Sequence, residues 1–196
     1  MAIEGENKQR NIKQLAGLYN LLLNLFWSAL SFVPLCIFCY ERVENSFLFL
    51  FIGLSLLPAL LSHSTIDKLQ LAKSTKTYKK LGVSLIQHVS QSGVFINYLI
   101  RRQYPSHKVV RREGRSIEAL LKQTYFFEKF HIIGLVFFCL NSIYALGKGL
   151  VGWALFLTSI NLVYNIYPIL LQQYIRLKLA GYNKKNEIRI SAANQG

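Results

Sequence analysis

The sequence predicts an all-α, polytopic membrane protein of about four transmembrane helices, with a basic cytoplasmic amphipathic segment between the second and third. Three observations carry this. Apolar residues make up 52% of the 196 and gather into blocks instead of spreading at the spacing of a soluble core. The blocks approach or exceed the ~20 residues a helix needs to cross ~30 Å of hydrocarbon. The formal charge of +14 falls between the blocks, which points to membrane lipid headgroups, and not nucleic acid, as the partner.

The first block, Leu15 to Tyr40, is too long for the apolar part of a signal peptide and lacks a small-residue cleavage site, so it predicts a retained span over 15–40. Asn20, Asn24 and Ser28 recur every four residues, a polar stripe expected to face protein because an amide turned to lipid has no partner. Pro34 predicts a kink. Cys36 and Cys39 form a C-x-x-C, but inside an apolar helix a thiolate is disfavoured. Both read as small packing residues, as does Cys139, and no disulfide framework is indicated.

Glu41–Asn45 predicts a polar turn. The second block, 46–66, is marginal in length and carries Gly53 and Pro58; a full span is the preferred reading and a re-entrant segment the alternative. From 67 to 125 an interfacial segment is expected. Leu81, Leu85, Ile86 and Val89, then Val94, Tyr98 and Leu99, have helical spacing around an interruption at Gln91-Ser92-Gly93, as in helices lying in the headgroup plane. Tyr104-Pro105 predicts a break. Ser116 predicts an N-cap with Glu118 in the first turn, opening a helix that runs into the third span, 126–146. Gly147-Lys148-Gly149 forms a turn, the fourth span covers 150–172, and a tail occupies 176–196. The whole, 1–196, reads as a single membrane domain.

Loop charge orients it. The stretch Asp67 to Lys122 holds twelve Lys/Arg against three Asp/Glu, and the tail from Arg176 five against one. The turns at 41–45 and 147–149 hold one Arg and one Lys. The positive-inside rule then places both termini and the central segment in the cytoplasm of a bacterial inner membrane.

Two constellations can carry chemistry. Glu128 and His131, three apart, share a helix face with Thr124 and Leu135 at the mouth of the third span. A carboxylate beside an imidazole raises its basicity and fixes its tautomer, as a general base requires; the competing reading is a surface pair in headgroup water. In the fourth span, Asn161, Asn165 and Gln172 are amides in an apolar helix, and Asn161, Asn165 and Pro168 share a face. Pro168 offers no N–H to the Tyr164 carbonyl, leaving that oxygen for a ligand or the third helix. Interhelical hydrogen bonding with an aromatic and cationic belt is the alternative. His63 and Asp67 have one residue too few between them for the His-x4-Asp of glycerolipid acyltransferases. His88 and His107 lack ligand spacing, and no metal, nucleotide or soluble-hydrolase motif is present. Arg101-Arg102 and Arg111-Arg112 suit an anionic headgroup or an acyl-CoA phosphate, or act as topology signal alone.

Tyr78-Lys-Lys-Leu-Gly-Val-Ser-Leu-Ile, Ile96-Asn-Tyr-Leu-Ile-Arg-Arg-Gln-Tyr-Pro105, Glu128-x-x-His131 and Asn165-x-Tyr167-Pro168-Ile-Leu-Leu-Gln172-Gln-Tyr-Ile-Arg-Leu-Lys-Leu179 together resemble, in that order, the small membrane acyltransferases related to glycosyl-diaponeurosporenoate acyltransferase, which act in staphyloxanthin formation. The resemblance spans about half of the chain. It departs at Ser90-Gln91-Ser92-Gly93, where the family carries Pro-Asn/Asp-Gly, and at Gln172-Gln173-Tyr174, where it carries Gln-Arg-Tyr. It implies esterification of a sugar hydroxyl on a lipidic, glycosylated acceptor such as a carotenoid. His131 would be the base, oriented by Glu128; Asn161, Asn165, Tyr167, Pro168 and Gln172 would position the acceptor, and Arg101, Arg102 or Arg111 the donor. No cofactor is implied beyond acyl-CoA or another acyl thioester as donor substrate. A non-enzymatic lipid-binding or assembly protein, with an oligomer formed through the polar faces, is the competing class.

Overall fold

The computed structural model describes residues 2–83, 94–104 and 116–193. Every regular element among them is helical: α1 (Ala2–Arg42), α2 (Asn45–Leu56) continued by a 3₁₀ turn (Leu57–Leu60), α3 (His63–Lys68), α4 (Thr75–Lys80), α5 (Val94–Gln103), α6 (Ile117–Gly147), α7 (Val151–Asn161), a π turn (Leu162–Ile166) and α8 (Tyr167–Ala193). Gln9–Arg42, Ile117–Gly147 and Val151–Tyr182, the last formed by α7, the π turn and the start of α8, are long and apolar enough to cross a membrane.

The predicted 46–66 span is not one helix. Its α-helical part ends at Leu56, the 3₁₀ turn opens on Pro58, and Leu61 and Ser62 are extended before α3 begins. The cause is local, since Pro58 withholds an N–H and Ser62 caps α3 by accepting from the Thr65 N–H at 3.2 Å. The segment nevertheless runs antiparallel to α6 along its depth. Phe47 and Phe51 pack on Tyr144, Lys129 reaches the Ala59 carbonyl, and Asp67 meets Tyr125. From Tyr144 to Tyr125 a helix rises about 28 Å, close to the hydrocarbon thickness.

The largest apolar core joins α1, α2, α6 and α7 through Leu35, Phe38, Phe51, Phe138, Ala145 and Leu157. At this end of the bundle the two short turns adjoin. Lys148 donates to Glu44 at 2.8 Å, and that bond and charge hold the Glu44 carboxyl below the usual carboxylate range. Outside the core, Leu25 and Phe26 of α1 are 57% and 59% exposed. Such apolar outer faces are what lipid tails solvate and water does not.

At the opposite, basic end, two smaller cores form. Ile96 and Ile100 of α5 pack on Ile12, Ala16, Tyr19 and Leu23 of α1. Tyr78 and Val83 pack on Leu171 and Tyr174 of α8. The predicted cap of α6 is present, with Ser116 Oγ accepting from the Ala119 N–H at 3.1 Å. α1 passes Pro34 as one continuous helix. Cys36, Cys39 and Cys139 are free thiols, and the Cys39 thiol donates to Asn141 Oδ1.

Candidate functional site

Two amides on one face of α7 and the π turn build a ladder onto α6. Asn161 Nδ2 donates to the Leu135 carbonyl at 3.2 Å, and Asn165 Nδ2 donates to Asn161 Oδ1 at 2.8 Å. Both residues are buried. The helices approach so closely that a Cβ on Gly134 would lie 2.5 Å from Asn165 Oδ1, so any larger residue there must displace the Asn165 side chain.

His131 lies one helical turn from Gly134. Its side chain faces the Asn165 side chain and the Tyr164 backbone carbonyl, the oxygen that Pro168 leaves without a helical donor. The imidazole meets the Tyr164 ring edge-on, 5.9 Å between centroids. Its Nδ1 is buried and has no hydrogen-bond partner. The Tyr164 hydroxyl pairs with Ser28 Oγ at 3.0 Å, and Phe32 covers the same ring, so α1 closes this side of the imidazole.

Glu128 does not orient His131. Its carboxylate is fully buried and taken by α8: Gln173 Nε2 donates to Oε1 at 2.7 Å, and Arg176 Nη1 donates to Oε2. The expected i,i+3 contact is lost to stronger competitors, because a guanidinium gives a charge-assisted bond that a neutral imidazole does not. The two chains also lean toward their own helix N-termini, which in antiparallel helices carries Glu128 and Arg176 toward each other. Arg176 further pairs through Nε with Asp67 at 3.3 Å and stacks on the Tyr125 ring at 4.5 Å, while Tyr125 donates to both Asp67 oxygens. Gln173 Oε1 accepts from the Tyr78 hydroxyl at 2.9 Å and from the Leu71 N–H at 3.2 Å. The stretch from α3 to α4 is thereby fastened to α6 and α8 by one polar cluster, buried at Glu128, Gln173 and Arg176 and exposed at Asp67.

Gln172 is only half-buried, and Gln173 is the inward residue. The π turn explains the difference. Its i→i+5 closure, seen in the Tyr167 N–H bonding to the Leu162 carbonyl, adds a residue and rotates the downstream face by about 100°. Positions continuing the Asn161–Asn165 face become 173 and 176. Tyr167 and Pro168 are half-buried beside it. Arg101 and Arg102 are exposed on α5, which packs on α1 and not on the cluster. Arg111, like His88 and His107, lies outside the described residues. Asp67, Tyr78, Tyr125, Gln173 and Arg176 escaped sequence reasoning; an arginine about three turns after the buried amides was the one available signal. His63, paired with Asp67 only by sequence chance, stacks on Tyr125 at 4.2 Å. No group of three metal-ligating side chains occurs among the described residues.

An apolar-walled helical bundle with an imidazole and amides inside its basic end defines an integral membrane protein with a polar site at the bilayer boundary. The match to a family model supplies the rest. Residues 62–185, well over half of the chain, match glycosyl-4,4'-diaponeurosporenoate acyltransferase, and the chain belongs to that family of carotenoid-related acyltransferases. No curated protein and no solved structure matches it. The matched segment contains Glu128, His131, Asn161, Asn165 and Arg176 but excludes α1.

Proposed function

We propose that the protein transfers an acyl group from a thioester donor, such as acyl-CoA, to a sugar hydroxyl of a glycosylated carotenoid-type lipid. His131 acts as the general base. The observation that carries this is the state of its imidazole: it neighbours the Tyr164 carbonyl and Asn165, and its Nδ1 is buried and unpartnered within the family-matched segment. An imidazole nitrogen with no bonded partner is free to take a proton, as a base must. The acceptor hydroxyl loses its proton to His131 as its oxygen attacks the thioester carbonyl carbon. The C–S bond breaks, and the thiolate leaves with the proton returned by His131. The orienting part is therefore given to Tyr164 and Asn165, and Glu128 has a positioning role between helices.

The excess of Lys and Arg at this end supports a cytoplasmic location, where a phosphorylated thioester is at hand. Exposed Arg101 and Arg102 are suited to its phosphates.

The test is acyl transfer from acyl-CoA to glycosyl-4,4'-diaponeurosporenoate in membranes carrying His131→Ala or His131→Gln. Loss of general-base catalysis lowers the rate by about 10²–10⁴ at unchanged protein level and helicity. Full activity of either variant sinks the assignment.

A further inference from the structure

On α1, residues 24, 28, 31, 35 and 38 are spaced four, three, four and three apart, which puts them on one helix face. Toward the turn end that face is sealed: Ser31 and Leu35 are 2% exposed and Phe38 is 0%. Toward the basic end the same face continues as Ser28, Asn24 and Asn20, and there all three are only half-buried. Their flanks are lipid-facing, with Leu21, Leu22, Leu25 and Phe26 all more than 50% exposed. The adjacent face is occupied by α5 on Ala16, Tyr19 and Leu23. The α1 strip that begins beside Tyr164 thus carries a hydroxyl and amides that are neither sealed in the core nor fully exposed.

The strip adjoins the candidate base. Ser28 Oγ touches the Tyr164 hydroxyl, Tyr164 touches the His131 ring, and His131 Nδ1 is a buried polar atom with nothing bonded to it. Half-buried amides at membrane depth are unfavourable unless they have polar company. An apolar chain lying along Asn24 and reaching His131 would leave that amide and Nδ1 unsatisfied. A hydroxyl-rich group would satisfy both.

We propose that Asn24 and Ser28 of α1, with Tyr164, form the subsite for the polyhydroxyl headgroup of the acceptor, so that headgroup specificity resides on a helix outside the family-matched segment. The inference rests on the acyl-transfer reading for the identity of the acceptor and on α1 geometry for its place. In it, a sugar hydroxyl replaces the Ser28–Tyr164 contact and its neighbour reaches His131. Asn20, whose Nδ2 donates to its own Ala16 carbonyl at 2.7 Å, marks the outer limit of the strip.

The experiment measures retention of glycosyl-4,4'-diaponeurosporenoate and of its sugar-free acid by the purified full chain in lipid nanodiscs, alongside acyl transfer by the same samples. Wild type is expected to prefer the glycoside. Asn24→Leu and Ser28→Ala each reduce that preference by roughly five- to tenfold, the equivalent of one hydrogen bond; Asn24→Gln restores it, and Leu25→Ala on the lipid face leaves it unchanged. Ser28→Ala removes a single oxygen, so the test survives if Asn24→Leu fails to fold. No glycoside preference in wild type, or a preference that both variants keep, overturns the proposal. Glycoside retention without acyl transfer instead overturns the enzymatic reading and leaves the subsite standing.

Discussion

Replacing Glu128 by alanine removes the centre of the buried cluster, and its cost can be worked from the contacts. The carboxylate is wholly buried and Arg176 is 5% exposed, so deletion strands a buried cation, for which breaking one side of a pair costs about 3–5 kcal/mol. Gln173 Nε2 also loses its acceptor, adding about 1–3 kcal/mol. Against this, Asp67 and the Tyr125 ring still hold the guanidinium, which offsets part of the loss. The expected net destabilisation is about 3–4 kcal/mol. Equilibrium unfolding in mixed micelles, followed by tryptophan fluorescence, reads it directly. A second arm isolates the pairing: Glu128→Met with Arg176→Met leaves no stranded charge between them and should fall within about 2 kcal/mol of wild type, far short of the summed single losses. A Glu128→Ala loss below about 1 kcal/mol, or strict additivity in the double variant, would refute the cluster as the fastening of α3–α4 to α6 and α8.

Two further outcomes follow from the α6–α8 contact. Gly134→Ala forces a methyl into Asn165 Oδ1 and should cost about 1–3 kcal/mol while lowering acyl transfer; Gly134→Ala with Asn165→Ala should recover stability but not activity, as unfolding and turnover assays on the same samples will show. Pro168→Ala adds a backbone N–H beside the Tyr164 carbonyl that can compete with His131 for that oxygen. Thermal stability should hold or rise while activity falls; unchanged turnover would count against the carbonyl as the orienting group.

The helical membrane class was legible because block length and loop charge report on the bilayer directly, and Ser116 was legible because a cap is a local interaction. What eluded sequence reasoning was non-local. The Glu128–His131 spacing says only that two side chains share a face, and it holds no information about a guanidinium arriving from forty-eight residues downstream. Gln172 stood out as an amide in an apolar helix, but the inward residue is Gln173, because the segment before it closes with i→i+5 bonds. The 46–66 block has the composition of a span, but Pro58 and the Ser62 cap divide it. Asn161 and Asn165 do share a face, and Asn161 bonds across to the Leu135 carbonyl, the interhelical bonding that the sequence offered beside a ligand site.

The arrangement of Glu128, Asp67 and Arg176 also bears on how the chain is made. Synthesis proceeds from the N-terminus, so both carboxylates emerge before the guanidinium that neutralises Glu128. A charge within a spanning helix costs about 2.5–3.5 kcal/mol on insertion when nothing pairs with it. Until α8 leaves the ribosome, α6 has reason to hold Glu128 at the aqueous edge and to wait there. Arrival of Arg176 then draws α6, α8 and the α3–α4 stretch together, so this contact closes only after α8 has followed α6.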